Sequence, residues 1–383
     1  MKDGWLALRK RHPRTQMTAK HTVRLAISAD CISSAVAQSV LAQAAEVIRS
    51  GGTVAFPTET VYGLGANALD ATAVEGIFLA KQRPAWDPMI VHIADRTMFD
   101  QVAVRVPGAT GQVLDKLDAL MEKFWPGPLT LLLPKQPAVP SIVTAGRELV
   151  GVRIPAHPMA LALIAVAKVP IAAPSANRFG HTSPTTAQHV LEDLDGRIDV
   201  VLDAGPAWCG VESTVIEVRE RETILYRPGA ITAEEIEAVI GPVVRYQPPT
   251  TELGSPEQPE SLPSPGVDMR HYAPNARVIP LEMNGNTETD VQAKWLRAVR
   301  EQSQNARKLG ILLPTEWLLP EGFAGIHFAW GNWEDDRELA QRLFAGLRTL
   351  DAMAADVILC PLPPDSGLGA AIRDRLLKAA RPQ

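Results

Sequence analysis

Residues 51–93 read GGTVAFPTETVYGLGANALDATAVEGIFLAKQRPAWDPMIVHI, and this stretch decides the fold. A short apolar strand, Thr53–Phe56, runs into a turn from Pro57 to Gly65 with more hydroxyls and glycines than a plain connection requires. The pattern then predicts a helix near Ala71–Lys81, a basic loop and a second strand over Met89–Ile93. The helix ends in Lys81-Gln82-Arg83-Pro84, where proline blocks continuation and cations suit the C-terminal dipole. Taken alone, Lys81 and Arg83 read as solvated charges and the glycines as backbone devices. Facing a hydroxyl-lined turn from a rigid support, they also make a cradle for a polyanion.

At 383 residues the chain exceeds what one core normally serves, so two domains are expected. A formal net charge of -5 argues against a surface that coats nucleic acid generally. Cys31, Cys209 and Cys360 are isolated, with no C-x-x-C. They fit a reducing cytosol, hence a cytoplasmic protein, and give neither a zinc site nor a disulfide framework. The longest apolar run, Met159–Ala167, is too short to span a membrane. Residues 1–22 are basic and lack an apolar signal core; they read as a disordered extension, or as leader to a natural start at Met17. No P-loop, dinucleotide fingerprint in a convincing context, H-E-x-x-H or G-x-S-x-G occurs.

Outward from the central stretch, Val23–Ile27 reads as a strand, and Ser33 or Ser34 caps a helix to Arg49. Gly111–Phe124 is an amphipathic helix, followed by the rigid turn Trp125-Pro126-Gly127-Pro128 into the strand Leu129–Leu133. Leu149–Pro155 is an apolar strand with a lone Arg153, which needs a partner. That partner is either a structural carboxylate or a substrate carboxylate held by the guanidinium fork. Val169–Ala173 leads into Pro174-Ser175-Ala176-Asn177, and Ser183-Pro184 signals the start of another helix, whose N-terminus could bind an anion. A strand follows at Asp199–Asp203, the residues Gly210–Val215 open another, and the helix Ala233–Ile240 closes a first domain, 23–241. Residues 242–275 are proline-rich and read as a linker, although Ser264-Pro265-Gly266 and His271-Tyr272-Ala273-Pro274 are too specific for a passive spacer. Residues 276–383 alternate strands and helices, as a small parallel α/β domain does. Gly367-Leu368-Gly369 before the last helix is a weak anion-site signal.

PTETVYGLG, KQRP, the strand with His92, WPGPLT, PSAN followed by SPT, GVESTV and SPG…HYAP together resemble the YrdC-like L-threonylcarbamoyladenylate synthases, in their long two-domain form. The resemblance implies an α/β (α+β) fold: a twisted mixed open sheet with helices, plus a smaller Rossmann-like parallel C-terminal domain. It implies synthesis of L-threonylcarbamoyl-AMP from L-threonine, bicarbonate or carbon dioxide, and ATP, with release of pyrophosphate. Mg2+ is expected with the nucleotide, and a separate transferase downstream would use the product on tRNA. By motif position Lys81 and Arg83 are catalytic, facing the phosphates. Thr60, His92, Arg153, Ala173 and Ser213 would hold threonine. Arg83, Asp87, Thr130, Ser175, Asn177, Ser183, Arg227 and Tyr272 would hold ATP, with Asp87 standing where the family often has asparagine. The segment Ser264–Tyr272 is expected across the mouth of the site. Two other classes stay open: an RNA-binding module, and a carbamoyl-transfer domain of hydrogenase maturation.

Overall fold

The structure, a computed structural model, describes residues 20–28, 32–105, 108–248, 261–267, 271–283 and 287–381. Met17 and most of the basic extension, Cys31 and much of the proline-rich stretch lie outside the described residues. Eleven strands form one mixed sheet. Across it lie Val23–Ala26, Val200–Asp203, Val54–Pro57, Tyr62–Asn67, Ile171–Ala172, Ile90–His92, Leu149–Arg153, Leu129–Pro134, Thr214–Val218, Thr223–Arg227 and Val243–Arg245. A second sheet is wholly parallel, in the order Arg277–Glu282, Val357–Leu362, Leu309–Pro314, Ile326–Gly331. The expected pairing of a mixed sheet with a smaller parallel α/β unit is borne out.

The helix Ala71–Lys81 forms where the pattern places it. The Asp70 side chain accepts from the amides of Thr72 and Ala73, and Gln82 ends the helix in the left-handed region at φ 55°. Its buried face includes Ala73, Val74, Ile77 and Phe78, and Lys81 as well. Lys81 is therefore not the solvated cation that its place at a helix end suggests. Three further expectations are corrected. The turn after Pro57 spans only Thr58–Val61, because Tyr62–Asn67 is a strand antiparallel to Val54–Pro57. Gly65 keeps that strand close to its neighbours: a Cβ there would lie 2.6 Å from Ile171 Cγ2 and 2.7 Å from Phe56 Cε1. Ser183 caps nothing, since the next helix is Ala187–Leu194 and Thr186 is its cap. The amides of Gly367 and Gly369 are already bonded to Glu234 Oε1 and Asp336 Oδ2, so that glycine pair offers no free anion site.

The C-terminal domain packs on the first through the helix Asp336–Ala352. Leu339, Ala340, Leu343 and Phe344 share one core with Val61, Val211 and Tyr272. Beside it Arg348 Nη2 donates to Asp193 Oδ2 at 2.8 Å and to the Thr182 carbonyl at 2.5 Å. Burial works to raise the Asp193 carboxyl, but hydrogen bonds and charge from His181 and Arg348 outweigh it and hold the group at about 2. A depressed carboxylate contributes stability above its unfolded value, and the contribution disappears as pH falls from about 4 towards 2. Asp193→Asn should therefore lower stability at neutral pH by on the order of 1 kcal/mol after solvent screening, read as a lower Tm. The deficit should shrink as the melts are moved below pH of about 4.

Candidate active site

The ends of interior strands of the large sheet gather the chemistry. His92 lies opposite Arg153 in a parallel pair, Leu131 opposite Val152, Leu129 opposite Thr214, and Arg227 opposite Val215. This register brings the ends of five strands together, with the Thr58–Val61 turn and the Pro174–Asn177 loop beside them. Between them is a cavity of about 50 Å³, little more than the ~30 Å³ share of one water.

Of the residues singled out by sequence, Thr60, Arg83, Asp87, His92 and Arg153 line the cavity, as do Ala173, Ser175, Ser213, Arg227 and Tyr272. Lys81, Thr130, Asn177 and Ser183 stand one contact behind. Lys81 Nζ donates to the Ser175 carbonyl at 2.6 Å and to that of Asn177. Burial, then the neighbouring Arg83 charge, pushes its ammonium well below the usual lysine range. Asn177 Nδ2 braces its own loop through the carbonyls of Arg178 and His181, both at 2.8 Å. Thr130 Oγ1 and Ser213 Oγ share a hydrogen bond of 2.8 Å, and Ser183 Oγ reaches Glu212 Oε1 at 2.6 Å.

Three guanidinium groups face the cavity, each anchored differently. Arg83 donates from Nη2 to the Pro88 carbonyl at 2.6 Å and pairs with Asp87 at 2.9 Å. Burial raises the Asp87 carboxyl, against the pull of Arg83. Arg153 pairs through Nη2 with Glu59 at 2.5 Å, while Nη1 donates to Thr60 Oγ1 at 3.1 Å. Both sequence readings of Arg153 thus have a physical counterpart, a carboxylate partner and a place in the cavity wall. Arg227 donates from Nε and Nη2 to the Ser213 carbonyl, at 3.0 and 2.9 Å. His92, pushed down to about 3 by burial and by Arg153, is a neutral imidazole whose Nδ1 has no protein partner.

The proline-rich segment contributes Pro265, Gly266, His271 and Tyr272 to the cavity wall; residues 268–270 of it lie outside the described residues. Gly266 has φ 73° and a Cβ there would meet the Tyr272 hydroxyl at 2.8 Å, so the strap needs glycine for two reasons. Sequence reasoning missed Glu59, Glu212, His271 and Arg375. Glu59 and Glu212 carried a signal, because a carboxylate inside an apolar or hydroxyl-rich strand end needs a cation, and His271 stood in the specific string His271-Tyr272-Ala273-Pro274; Arg375 carried none.

Buried guanidinium groups and hydroxyls surround a small cavity at the ends of interior strands of a mixed sheet, in an α/β protein. A family model described as telomere recombination, for the Sua5, YciO and YrdC proteins, matches residues 46–229, and one described as the threonylcarbamoyl-AMP synthase C-terminal domain matches 231–381. The threonylcarbamoyl-AMP synthase of Bacillus subtilis is 44% identical over 346 residues, 89% of this chain and 92% of its own length. That of Pyrococcus abyssi is 42% identical over 337 residues, 88% and 93% respectively. The chain belongs to the Sua5-type threonylcarbamoyl-AMP synthase family. The structure of P. abyssi Sua5 complexed with L-threonine agrees with a TM-score of 0.79 at 40% identity, covering 94% of this chain and 97% of that one.

Proposed function

We infer that this chain joins L-threonine, carbon dioxide from bicarbonate, and ATP into L-threonylcarbamoyl-AMP and releases pyrophosphate. The observation that carries the reading is the convergence of Arg83, Arg153 and Arg227 on one cavity, in a chain of this family. The threonine amine attacks carbon dioxide and loses a proton, giving a carbamate. A carbamate oxygen then attacks the α-phosphorus, and pyrophosphate leaves with the electron pair of the broken P–O bond. Such a displacement depends on positioning and on neutralised charge.

Arg153 and Thr60 hold the threonine carboxylate, and Arg83 and Arg227 face the phosphates. Lys81 acts first on the protein, fixing the Ser175–Asn177 loop through two carbonyls. His92 is uncharged, with a single ring proton, and serves as a neutral hydrogen-bonding wall. Among the described residues no three His, Cys, Asp or Glu side chains cluster in metal-binding geometry. Mg2+ would accordingly be held mainly by the triphosphate itself. Among the described residues no helix is long and apolar enough to cross a membrane. With two free cysteines and no disulfide among those residues, the reading places the reaction in the cytoplasm, ahead of a tRNA-directed transferase. Relatives matched over both domains do not favour the hydrogenase-maturation alternative, and nothing in the site favours the RNA-binding one.

Mass spectrometry of a reaction containing ATP, threonine and heavy-carbon bicarbonate tests the reading. The adduct should appear only with all three present and should carry the label. Pyrophosphate release that is indifferent to threonine would overturn it.

A further inference from the structure

We propose that Arg375, a residue of the C-terminal domain, is a positioning residue for the active site of the first domain, fixing Glu212, Pro228 and Tyr272 in place together. The proposal rests on the synthase reading and adds a task for the C-terminal domain.

Arg375 lies on the helix Gly367–Ala379 and is completely buried. Its Nε donates to Glu212 Oε2 at 2.8 Å and its Nη1 to the Pro228 carbonyl at 2.9 Å. Its guanidinium carbon stands 5.1 Å from the centre of the Tyr272 ring, over its face. These three partners are neighbours of the reacting centre. Glu212 lines the cavity, accepts from Ser183 with its other oxygen, and precedes Ser213. Pro228 follows Arg227, and Arg227 is bonded to Ser213 through both its carbonyl and its hydroxyl. One guanidinium thus pins the residue before Ser213 and the residue after Arg227, while its flat face supports the strap tyrosine. A displacement of Arg375 would be passed to Ser213, Arg227 and Tyr272 together.

Charge balance accounts for only part of this arrangement. Arg375 is the ion-pair partner of the buried Glu212 carboxylate at 2.8 Å, whose other contact, the Ser183 hydroxyl, carries no charge. Asp374, by contrast, is shared by Lys378 Nζ at 2.8 Å and Arg375 Nη1 at 2.6 Å, so it keeps a cation without Arg375. What only arginine supplies is the planar fork, which serves a carboxylate, a carbonyl and an aromatic face at once; an ammonium cannot.

The test compares full-length Arg375→Lys, Arg375→Met, Tyr272→Ala and the Tyr272→Ala/Arg375→Met double variant with the parent. Arg375→Met should raise the apparent KM for ATP roughly tenfold, beyond any change in folded fraction, as expected when a reacting group is misplaced from a distance. Arg375→Lys should show the same effect in smaller size. The combined effect of Arg375→Met and Tyr272→Ala should be less than the product of the two, because they share one contact while Arg375 also holds Glu212 and Pro228. Hydrogen exchange gives a readout that needs no turnover. The Ala273 amide, bonded to the Gly180 carbonyl at 2.9 Å, should exchange faster in both Arg375 variants. A parent that makes no adduct would overturn the synthase reading and leave this exchange result to judge the proposal. Unchanged KM and unchanged Ala273 exchange in folded Arg375→Lys would overturn the proposal, as would fully multiplicative effects of Arg375→Met and Tyr272→Ala. Should Arg375→Met not fold, Arg375→Lys decides alone.

Discussion

Arg83→Ala should lower threonine-dependent pyrophosphate release by on the order of a hundredfold or more, since losing a charged donor to a developing phosphate charge costs roughly 2–4 kcal/mol in the transition state. The geometry complicates the simple variant. Arg83 also neutralises Asp87, and both side chains are buried. Removing one partner of such a pair costs about 3–5 kcal/mol of stability, because the other charge is left behind. The Arg83→Ala/Asp87→Asn double variant separates the two effects. It should recover most of the lost Tm and none of the lost turnover. If turnover returned along with Tm, Arg83 would be a counter-ion for Asp87 and not a phosphate ligand.

Arg153→Lys should raise the apparent threonine constant roughly 30-fold, about 2 kcal/mol, while leaving that for ATP nearly unchanged. A lysine ammonium can still pair with Glu59, so the fold should survive. It cannot at the same time reach Thr60 Oγ1 and present two parallel donors to a carboxylate. Steady-state kinetics with each substrate varied in turn measures the split. An effect confined to ATP would move Arg153 to the nucleotide side of the cavity.

The sequence exposed those parts of the fold whose signals are local. The helix Gly111–Phe124 was legible because Val113, Leu114, Leu117, Leu120 and Met121 repeat at helical spacing, and all of these but the half-buried Leu114 are buried, with Phe124. The strand Tyr62–Asn67 was hidden, because Gly63 and Gly65 read as turn residues when their task is close packing against Phe56 and Ile171. Ile171–Ala172 is too short for any periodicity to delimit it. Ser183-Pro184 imitated a helix start because its hydroxyl has another duty, on Glu212. The motifs brought ten of the residues singled out to one cavity, but their anchors were not legible. Arg375 and Glu212 are 163 positions apart, and nothing beside either in the chain announces the other.

Arg227 has a consequence for how the protein melts. Its side-chain hydrogen bonds go to uncharged groups, the Ser213 carbonyl and hydroxyl and, at 3.5 Å, the Pro265 carbonyl. Burial pushes its pKa below the usual arginine range. A buried cation with no carboxylate among its hydrogen-bond partners carries a desolvation cost that the charges of Glu212 and Asp374 offset only in part, since its pKa stays lowered. An anionic ligand that binds only the native state reverses this, adding about 2.7 kcal/mol at a hundred times its dissociation constant. Arg227→Met should therefore melt at or above the temperature of the ligand-free parent, gain little on addition of ATP, and turn over poorly. Thermal-shift and activity measurements would rank the same two proteins in opposite orders, the trade-off expected where a binding site is kept at the expense of rigidity.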